Sequence, residues 1–207
     1  MFENPRRLFD QYFCKHMAAK TAAFDENLAQ EARVRLCQTE ALHDRILALE
    51  RDMFEHELKG NPPSADRVSS KFVLHDLAAP PCDDPDAPLR PFTRADEMRV
   101  LLEAFYYNAN RIRDLFRDSG RGLPGLARFE ATGIRDVRNH LVEHPTRKRG
   151  VKVMAIAVGG PLGPQLKPMR RANDATGTWD AGLSTNAREF CTSLESILQQ
   201  AVGPRAV

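Results

Sequence analysis

The stretch from Thr93 to Phe116, TRADEMRVLLEAFYYNANRIRDLF, decides the fold class of this chain. Thr93 followed by Asp96 is typical of a helix start, because a threonine and an acid three residues later can satisfy the free N–H groups there. Apolar residues then recur at helical spacing and line one face: Met98, Leu101, Phe105, Ala109, Ile112 and Phe116. The pattern predicts the clearest core helix of the chain.

Helices are also predicted before this stretch. Between Arg6 and Leu58 the chain has no proline and no glycine, which indicates long helices. Apolar residues spaced four, three and four apart form the seam of a packed helix: Leu42, Ile46, Leu49 and Met53. Thr21, Asp25 and Asn27 are each able to cap a new helix, so two helices are expected over residues 1–60.

Prolines and a β-prone run divide the rest of the chain. Prolines near residues 61–63 and 80–85 predict an irregular connector over 61–92. A second helical pattern runs from Leu126 to Glu143 and ends before Pro145, so 93–145 is a pair of helices. Val151 to Val158 is β-prone and predicts a strand of a small β-hairpin within 146–183, pairing around Thr176 to Ala181.

The C-terminal segment, 184–207, predicts a last helix with Asn186 and Glu189 as a cap pair. Its buried face is expected to hold Phe190, Leu194, Ile197 and Ala201. The sequence therefore predicts a single mainly α domain over 1–207, a helical bundle of about five helices with a small β-hairpin before the C-terminal helix.

Composition excludes several classes of protein. Apolar residues make up 42% and charged residues 28% of 207, which are ordinary globular values. No apolar run approaches the roughly 20 residues that cross a bilayer, and the N-terminus does not resemble a secretory signal, so a cytoplasmic protein without membrane contact is expected. The four cysteines form no CxxC pair, which argues against a zinc knuckle or a redox dithiol. No cofactor is expected.

Charge is distributed unevenly along the chain. The stretch from Arg111 to Arg171 carries 14 Lys/Arg and 5 Asp/Glu, a balance of +9, whereas the remainder has −7. Such a basic stretch permits a partner that carries phosphate, such as RNA or a nucleotide, and the alternative is a solvated surface. Tyr106 and Tyr107 lie off the main apolar stripe; they either cover the edge of the bundle, as most such tyrosines do, or stack on bases.

The segment whose side chains are best suited to catalysis runs from Arg138 to His144, RNHLVEH. An arginine and a histidine near a basic surface can cleave RNA without a metal, because the 2′-hydroxyl of RNA attacks the adjacent phosphorus. Imidazole then moves the proton and guanidinium stabilises charge on the phosphoryl oxygens. On a straight helix the two side chains point about 120° apart, so either Pro145 loosens the last turn or a second subunit completes the site.

Arg138-Asn139-x-Leu141-Val142-x-His144, late in a helix, resembles the R-x(4–6)-H motif of the HEPN superfamily (higher eukaryote and prokaryote nucleotide-binding). In that family a polar residue follows the arginine, as Asn139 does here. The resemblance implies an α-helical bundle, a homodimer with facing motifs, and a metal-independent endoribonuclease of a toxin–antitoxin, phage-defence or RNA-processing system, with an antitoxin protein as a further partner. Other members are noncatalytic, so a helical interaction or nucleotide-binding module is the alternative.

The resemblance implies a role for each motif residue. Arg138 would stabilise the phosphorane, His144 would act as acid and base, and Asn139 would orient the phosphate or the histidine. RNA would be bound by Arg135, Arg147, Lys148 and Arg149, and the motif would be supported by His140 and Glu143. A second register, Arg135 with His140, is less favoured because only Arg138 is followed directly by asparagine.

Two other interpretations of the segment remain. Arg138 can pair with Glu143 or Asp136, and residues 147–149 can be a solvated loop after a helix C-terminus. His140 to His144 also reads H-x-x-E-H, in which two histidines hold zinc and the glutamate acts as base. Pro145 disturbs the turn that this pattern needs, and only 63 residues remain to supply a third ligand. A metal site is therefore not predicted.

Overall fold

The computed structural model describes residues 1–60, 71–73, 94–117, 122–127, 129–138, 152–158, 165–172, 175–178 and 183–203. Its helices are α1 (Glu3–Ala18), α2 (Glu26–Gly60), α3 (Arg94–Arg117), α4 (Thr132–Arg138) and α5 (Leu183–Val202). Its strands are β1 (Lys71–Val73), β2 (Lys152–Val158), β3 (Gln165–Ala172) and β4 (Ala175–Thr178). The predicted mainly α fold is confirmed.

The break between α1 and α2 lies where the capping residues predicted it. Asp25 caps α2, because its Oδ1 accepts a hydrogen bond from the backbone N–H of Leu28 at 3.0 Å. The backbone N–H of Asp25 donates to the carbonyl oxygen of Gly122 at 2.8 Å. The start of α2 is thereby fixed both by its own cap and by the segment that precedes α4.

The predicted core face of α3 is confirmed. Met98, Phe105, Ala109, Ile112 and Phe116 are buried, and Leu101 is half-buried. The prediction was wrong for Tyr106, which is fully buried beside Phe105, with ring centroids 5.2 Å apart in an edge-to-face arrangement. Tyr107 is exposed, as expected.

Contacts divide the chain into two compact units. Unit 1 comprises Met1–His43, Ala104–Arg138 and Thr185–Val207. It is a helical bundle in which Phe129, just before α4, lies between Phe116 of α3 and Phe190 of α5, with ring centroids 5.5 and 5.6 Å away. Burial of such large rings stabilises the bundle.

Unit 2 comprises Asp44–Glu103 and Asn139–Ser184. Within it, α2 and α3 are joined by two ion pairs: Arg45 contacts Glu97 at 2.6 Å, and Arg94 contacts Asp52 at 2.9 Å. These pairs are solvent-exposed, so each contributes little to stability. Buried Ile46 and Leu49 of α2 belong to the predicted seam of this helix.

The strands form one antiparallel sheet in the order β1-β2-β3-β4. The strand predicted at Val151–Val158 is present as β2, but its predicted pairing around Thr176 to Ala181 is wrong. Residue Ile156 pairs with Lys167 of β3, and β4 pairs with β3. Charges and Pro168 conceal the strand pattern of β3, since proline is disfavoured within sheets. Strand β1 lies in the segment predicted to be an irregular connector.

Two helix boundaries also differ from the prediction. Helix α4 begins at Thr132 and not at Leu126, because Ala131 has a φ of 29°, a left-handed conformation that a helix cannot continue through. Helix α5 begins at Leu183, so the predicted cap pair Asn186 and Glu189 is wrong and both residues lie inside the helix.

Candidate functional site

Helix α4 carries two of the candidate residues, Arg135 and Arg138. Residues three apart are neighbours on a helix surface, so the two guanidinium groups belong to one side of α4. Ile134 and Val137 are buried and attach α4 to the bundle of unit 1. Ile134 lies four residues before Arg138, so Arg138 is next to the apolar side of the helix and Arg135 is farther from it.

The two arginines have different surroundings. Arg135 is 39% exposed, and its Nε donates to Oδ1 of Asp136 at 3.1 Å, with Glu130 at 4.0 Å from its Nη1. Arg138 is half-buried and its Nε is shielded from solvent. Two carboxylates therefore lie close to Arg135, and burial of Nε is what distinguishes Arg138.

The other candidates lie outside the described residues: Asn139, His140, Glu143, His144, Arg147, Lys148 and Arg149. The predicted helix end before Pro145 lies outside them too. The structure therefore brings together Arg135 and Arg138 on α4, and the roles of the remaining residues stay predictions.

The N-terminus of α4 is attached to α5. The backbone N–H of Thr132 donates to Oε1 of Glu189 at 3.2 Å. Such a bond satisfies one of the N–H groups that a helix start leaves without a partner, and a carboxylate there is favoured by the helix dipole. Glu189 thus stabilises the start of a neighbouring helix.

Gly133 lies against the side chain of Asn186. A Cβ placed on Gly133 would stand 2.2 Å from Oδ1 of Asn186, closer than any real contact. Only glycine permits this approach of α4 to α5. On its other side the Asn186 amide donates from Nδ2 to the hydroxyl oxygen of Tyr106 at 3.0 Å. Burial raises the pKa of Tyr106 well above its usual value, so the phenol stays neutral.

Arg113 of α3 holds the segment that leads into α4. It is 4% exposed, its Nε donates to the carbonyl oxygen of Phe129 at 3.3 Å, and its Nη1 donates to Oδ1 of Asn110 at 2.8 Å. The amide of Asn110 in turn donates to Asp114 at 3.0 Å. A buried cation is tolerated because its donors are satisfied in this way.

Sequence reasoning missed Tyr106, Arg113 and Asn186 as residues that hold α4. A signal existed for Asn186, which lies three residues after Leu183 and four before Phe190, both fully buried. A polar residue within an apolar stripe usually has a specific partner. For Arg113 no signal distinguishes a buried arginine from the exposed arginines of the same helix.

Glu50 is the other buried charge of note. It is 1% exposed, and neither carboxylate oxygen has a hydrogen-bond partner within the described part of the chain. Burial therefore raises the pKa of Glu50 to about 7. It belongs to unit 2.

A surface groove between α1 and α2 is lined by Arg6, Asp10, Arg33 and Cys37 among others. Its charges are already matched, since Arg6 pairs with Glu40, and Arg33 with Asp10 at 2.8 Å. Cys37 is an exposed free thiol at this groove. The groove thus presents no excess charge for an RNA.

Within the described ranges, no three His, Cys, Asp or Glu side chains form a group able to hold a metal ion. None of the helices so described is long and apolar enough to cross a membrane. The H-x-x-E-H pattern from His140 to His144 lies outside these ranges.

Comparisons with protein-family models, curated proteins and solved structures found no match. The resemblance to HEPN proteins stays a prediction from the motif residues Arg138 to His144, their helical context and the basic stretch.

Proposed function

We propose that this protein is a metal-independent endoribonuclease of the HEPN type. The observation that supports the proposal is the setting of Arg138, a half-buried arginine on a short helix that is held from α3 and α5. A cation fixed before the substrate arrives stabilises developing charge without reorganisation during the reaction.

The reaction divides the chemistry among three residues. The 2′-hydroxyl oxygen of the RNA forms a bond to the adjacent phosphorus, and the bond from phosphorus to the 5′-oxygen of the next nucleotide breaks. Arg138 stabilises the charge on the phosphoryl oxygens, and Asn139 orients the phosphate or the histidine. His144 moves the proton at the attacking or leaving oxygen, for which an imidazole pKa of about 6.5 is suited.

Binding of RNA is assigned to Arg135, Arg147, Lys148 and Arg149. They belong to the stretch with a charge of +9, which attracts the phosphate backbone without reading its sequence. A homodimer would bring two motifs face to face, and an antitoxin protein would be a further partner in a toxin–antitoxin or phage-defence system.

Cleavage of single-stranded RNA tests the proposal. His144→Ala should lower the rate by about 10²–10⁴-fold, the usual contribution of a general acid or base. His56→Ala, a histidine outside the motif, is the matched control and should retain activity. Cleavage should survive EDTA and leave 2′,3′-cyclic phosphate ends.

Two outcomes would contradict the proposal. Loss of activity with chelator alone would favour a metal held by His140 and His144. A wild-type protein that neither binds nor cleaves RNA at low salt would leave the noncatalytic interaction module.

A further inference from the structure

The contact between Gly133 and Asn186 fixes how closely α4 approaches α5. Asn186 is 1% exposed, and the space that a Cβ of Gly133 would take is filled by its Oδ1. Neither residue belongs to the Arg138 motif. The contact nevertheless lies five residues before Arg138, within the same short helix.

The orientation of the Asn186 amide is determined from the opposite side. Its Nδ2 donates to the hydroxyl oxygen of fully buried Tyr106, so Oδ1 is turned toward Gly133. An amide held in this way cannot rotate out of the contact without losing a buried hydrogen bond. Tyr106, Asn186 and Gly133 therefore form a continuous line from α3 through α5 to α4.

Helix α4 depends on such contacts for its place. Its described part, Thr132–Arg138, packs on the bundle through buried Ile134 and Val137. Its first backbone N–H is bound by Glu189, three residues after Asn186 on α5. The position of α4, which carries Arg138, thus depends on one turn of α5 as well as on the bond from Arg113 of α3 to Phe129.

We propose that Asn186 is a positioning residue for Arg138, acting through Gly133 and oriented by Tyr106. The inference rests on the proposed function, in which Arg138 stabilises charge on the phosphoryl oxygens. Moving α4 away from α5 displaces Arg138 from the reacting phosphate, and Arg135, which lies on the same helix, moves with it.

The contact is tested with Gly133→Ala, Asn186→Ala and the combination of both. Gly133→Ala places a methyl group against Oδ1 of Asn186 and should lower kcat for RNA cleavage by at least about tenfold, since small misplacements of a catalytic group are costly. KM should change less than kcat, because Arg135 is the only residue assigned to RNA binding within Thr132–Arg138. Asn186→Ala removes the obstructing amide, so the double variant should recover most of the kcat that Gly133→Ala loses.

Measuring Gly133→Ala in an Arg138→Lys background distinguishes an effect on the position of Arg138 from general destabilisation of the protein. In an Arg138→Lys background, Gly133→Ala should cause little further loss of kcat, because both changes affect the same group. All rates are measured well below the unfolding midpoint of each variant. Equal losses of kcat in the two backgrounds would overturn the positioning role.

A readout without RNA keeps the test independent of the proposed function. The Nε–H signal of Arg138 in a nitrogen-correlated NMR spectrum should shift in Gly133→Ala and return toward its wild-type position in the double variant. Tyr106→Phe, which removes only the hydroxyl, should shift it as well and serves where Gly133→Ala fails to fold. Gln200→Ala, at an exposed position of α5, is the control.

The outcomes distinguish the two proposals. A wild-type protein without RNA cleavage, whose Arg138 signal follows the pattern above, would refute the ribonuclease proposal and leave Asn186 as the residue that places Arg138. An Arg138 signal unchanged in Gly133→Ala and Tyr106→Phe would refute the positioning role, whether or not RNA is cleaved.

Discussion

The Nε of Arg113 donates a hydrogen bond to the carbonyl oxygen of Phe129 at 3.3 Å, which joins the middle of α3 to the segment just before α4. Both residues are buried, and Nη1 of the same guanidinium donates to Asn110. One buried cation therefore organises the entry to the helix that carries Arg138.

Replacing this cation should destabilise unit 1. Arg113→Ala leaves the oxygens of Phe129 and Asn110 without a donor and should lower the free energy of unfolding by about 2–4 kcal/mol. Urea denaturation followed by circular dichroism measures the change. Arg117→Ala, an exposed arginine of the same helix, should cost less than about 1 kcal/mol, and equal losses would contradict the role of Arg113.

Glu50 should make stability dependent on pH. Its pKa is about 7 in the folded protein, against an ordinary value of 4.5, so the folded state binds the proton more tightly. The resulting stability is fully present below pH 4.5 and is lost as the pH rises through about 7. Between these values the free energy of unfolding should fall by at most about 1.4 kcal/mol per pH unit from this group.

The measurement for Glu50 is a series of urea titrations across this pH range. The free energy of unfolding of Glu50→Gln should fall less steeply with pH than that of wild type. At alkaline pH this variant should be the more stable protein. Glu3→Gln, at an exposed position, should follow the wild-type curve. Parallel curves for wild type and Glu50→Gln would show that Glu50 does not titrate in this way.

The cap of α2 should be measurable separately. Asp25→Ala removes the acceptor for the N–H of Leu28 and should lower the free energy of unfolding by about 1 kcal/mol. Asp25→Asn keeps an oxygen at the same place and should cost much less. A loss of similar size in both variants would instead indicate that the negative charge is what stabilises the helix start.

RNA affinity should fall steeply as salt is raised. For binding to a single strand, the slope of log K against log[salt] is about −0.7 for each phosphate that the protein neutralises. Replacing Arg147, Lys148 and Arg149 by alanine should weaken binding and flatten this slope by up to about 2. His144→Ala should leave the slope nearly unchanged. Arg188→Ala, an exposed arginine outside the basic stretch, is the control, and an equal effect there would count against a localised RNA surface.

Much of the helical architecture was predictable from local pattern. The apolar face of α3, the break before Asp25 and the β-prone run of β2 all arise from residues close in sequence, whose spacing and capping determine local structure. The start of α4 was not predictable in this way. Ala131, just before the helix, has a left-handed conformation. The bond from Thr132 to Glu189 joins residues 57 positions apart in the sequence.

The sequence by itself determined that the chain is mainly helical and that one basic stretch contains an arginine, an asparagine and a histidine at suggestive spacing. Only the tertiary structure decided that Asn186 is buried against Gly133 and does not cap α5. It also decided that Tyr106 lies in the core and that Arg113 holds the segment leading into α4. The physical reason is that a polar side chain is tolerated in a core only where a distant partner satisfies its hydrogen bonds, and periodicity carries no information about that partner.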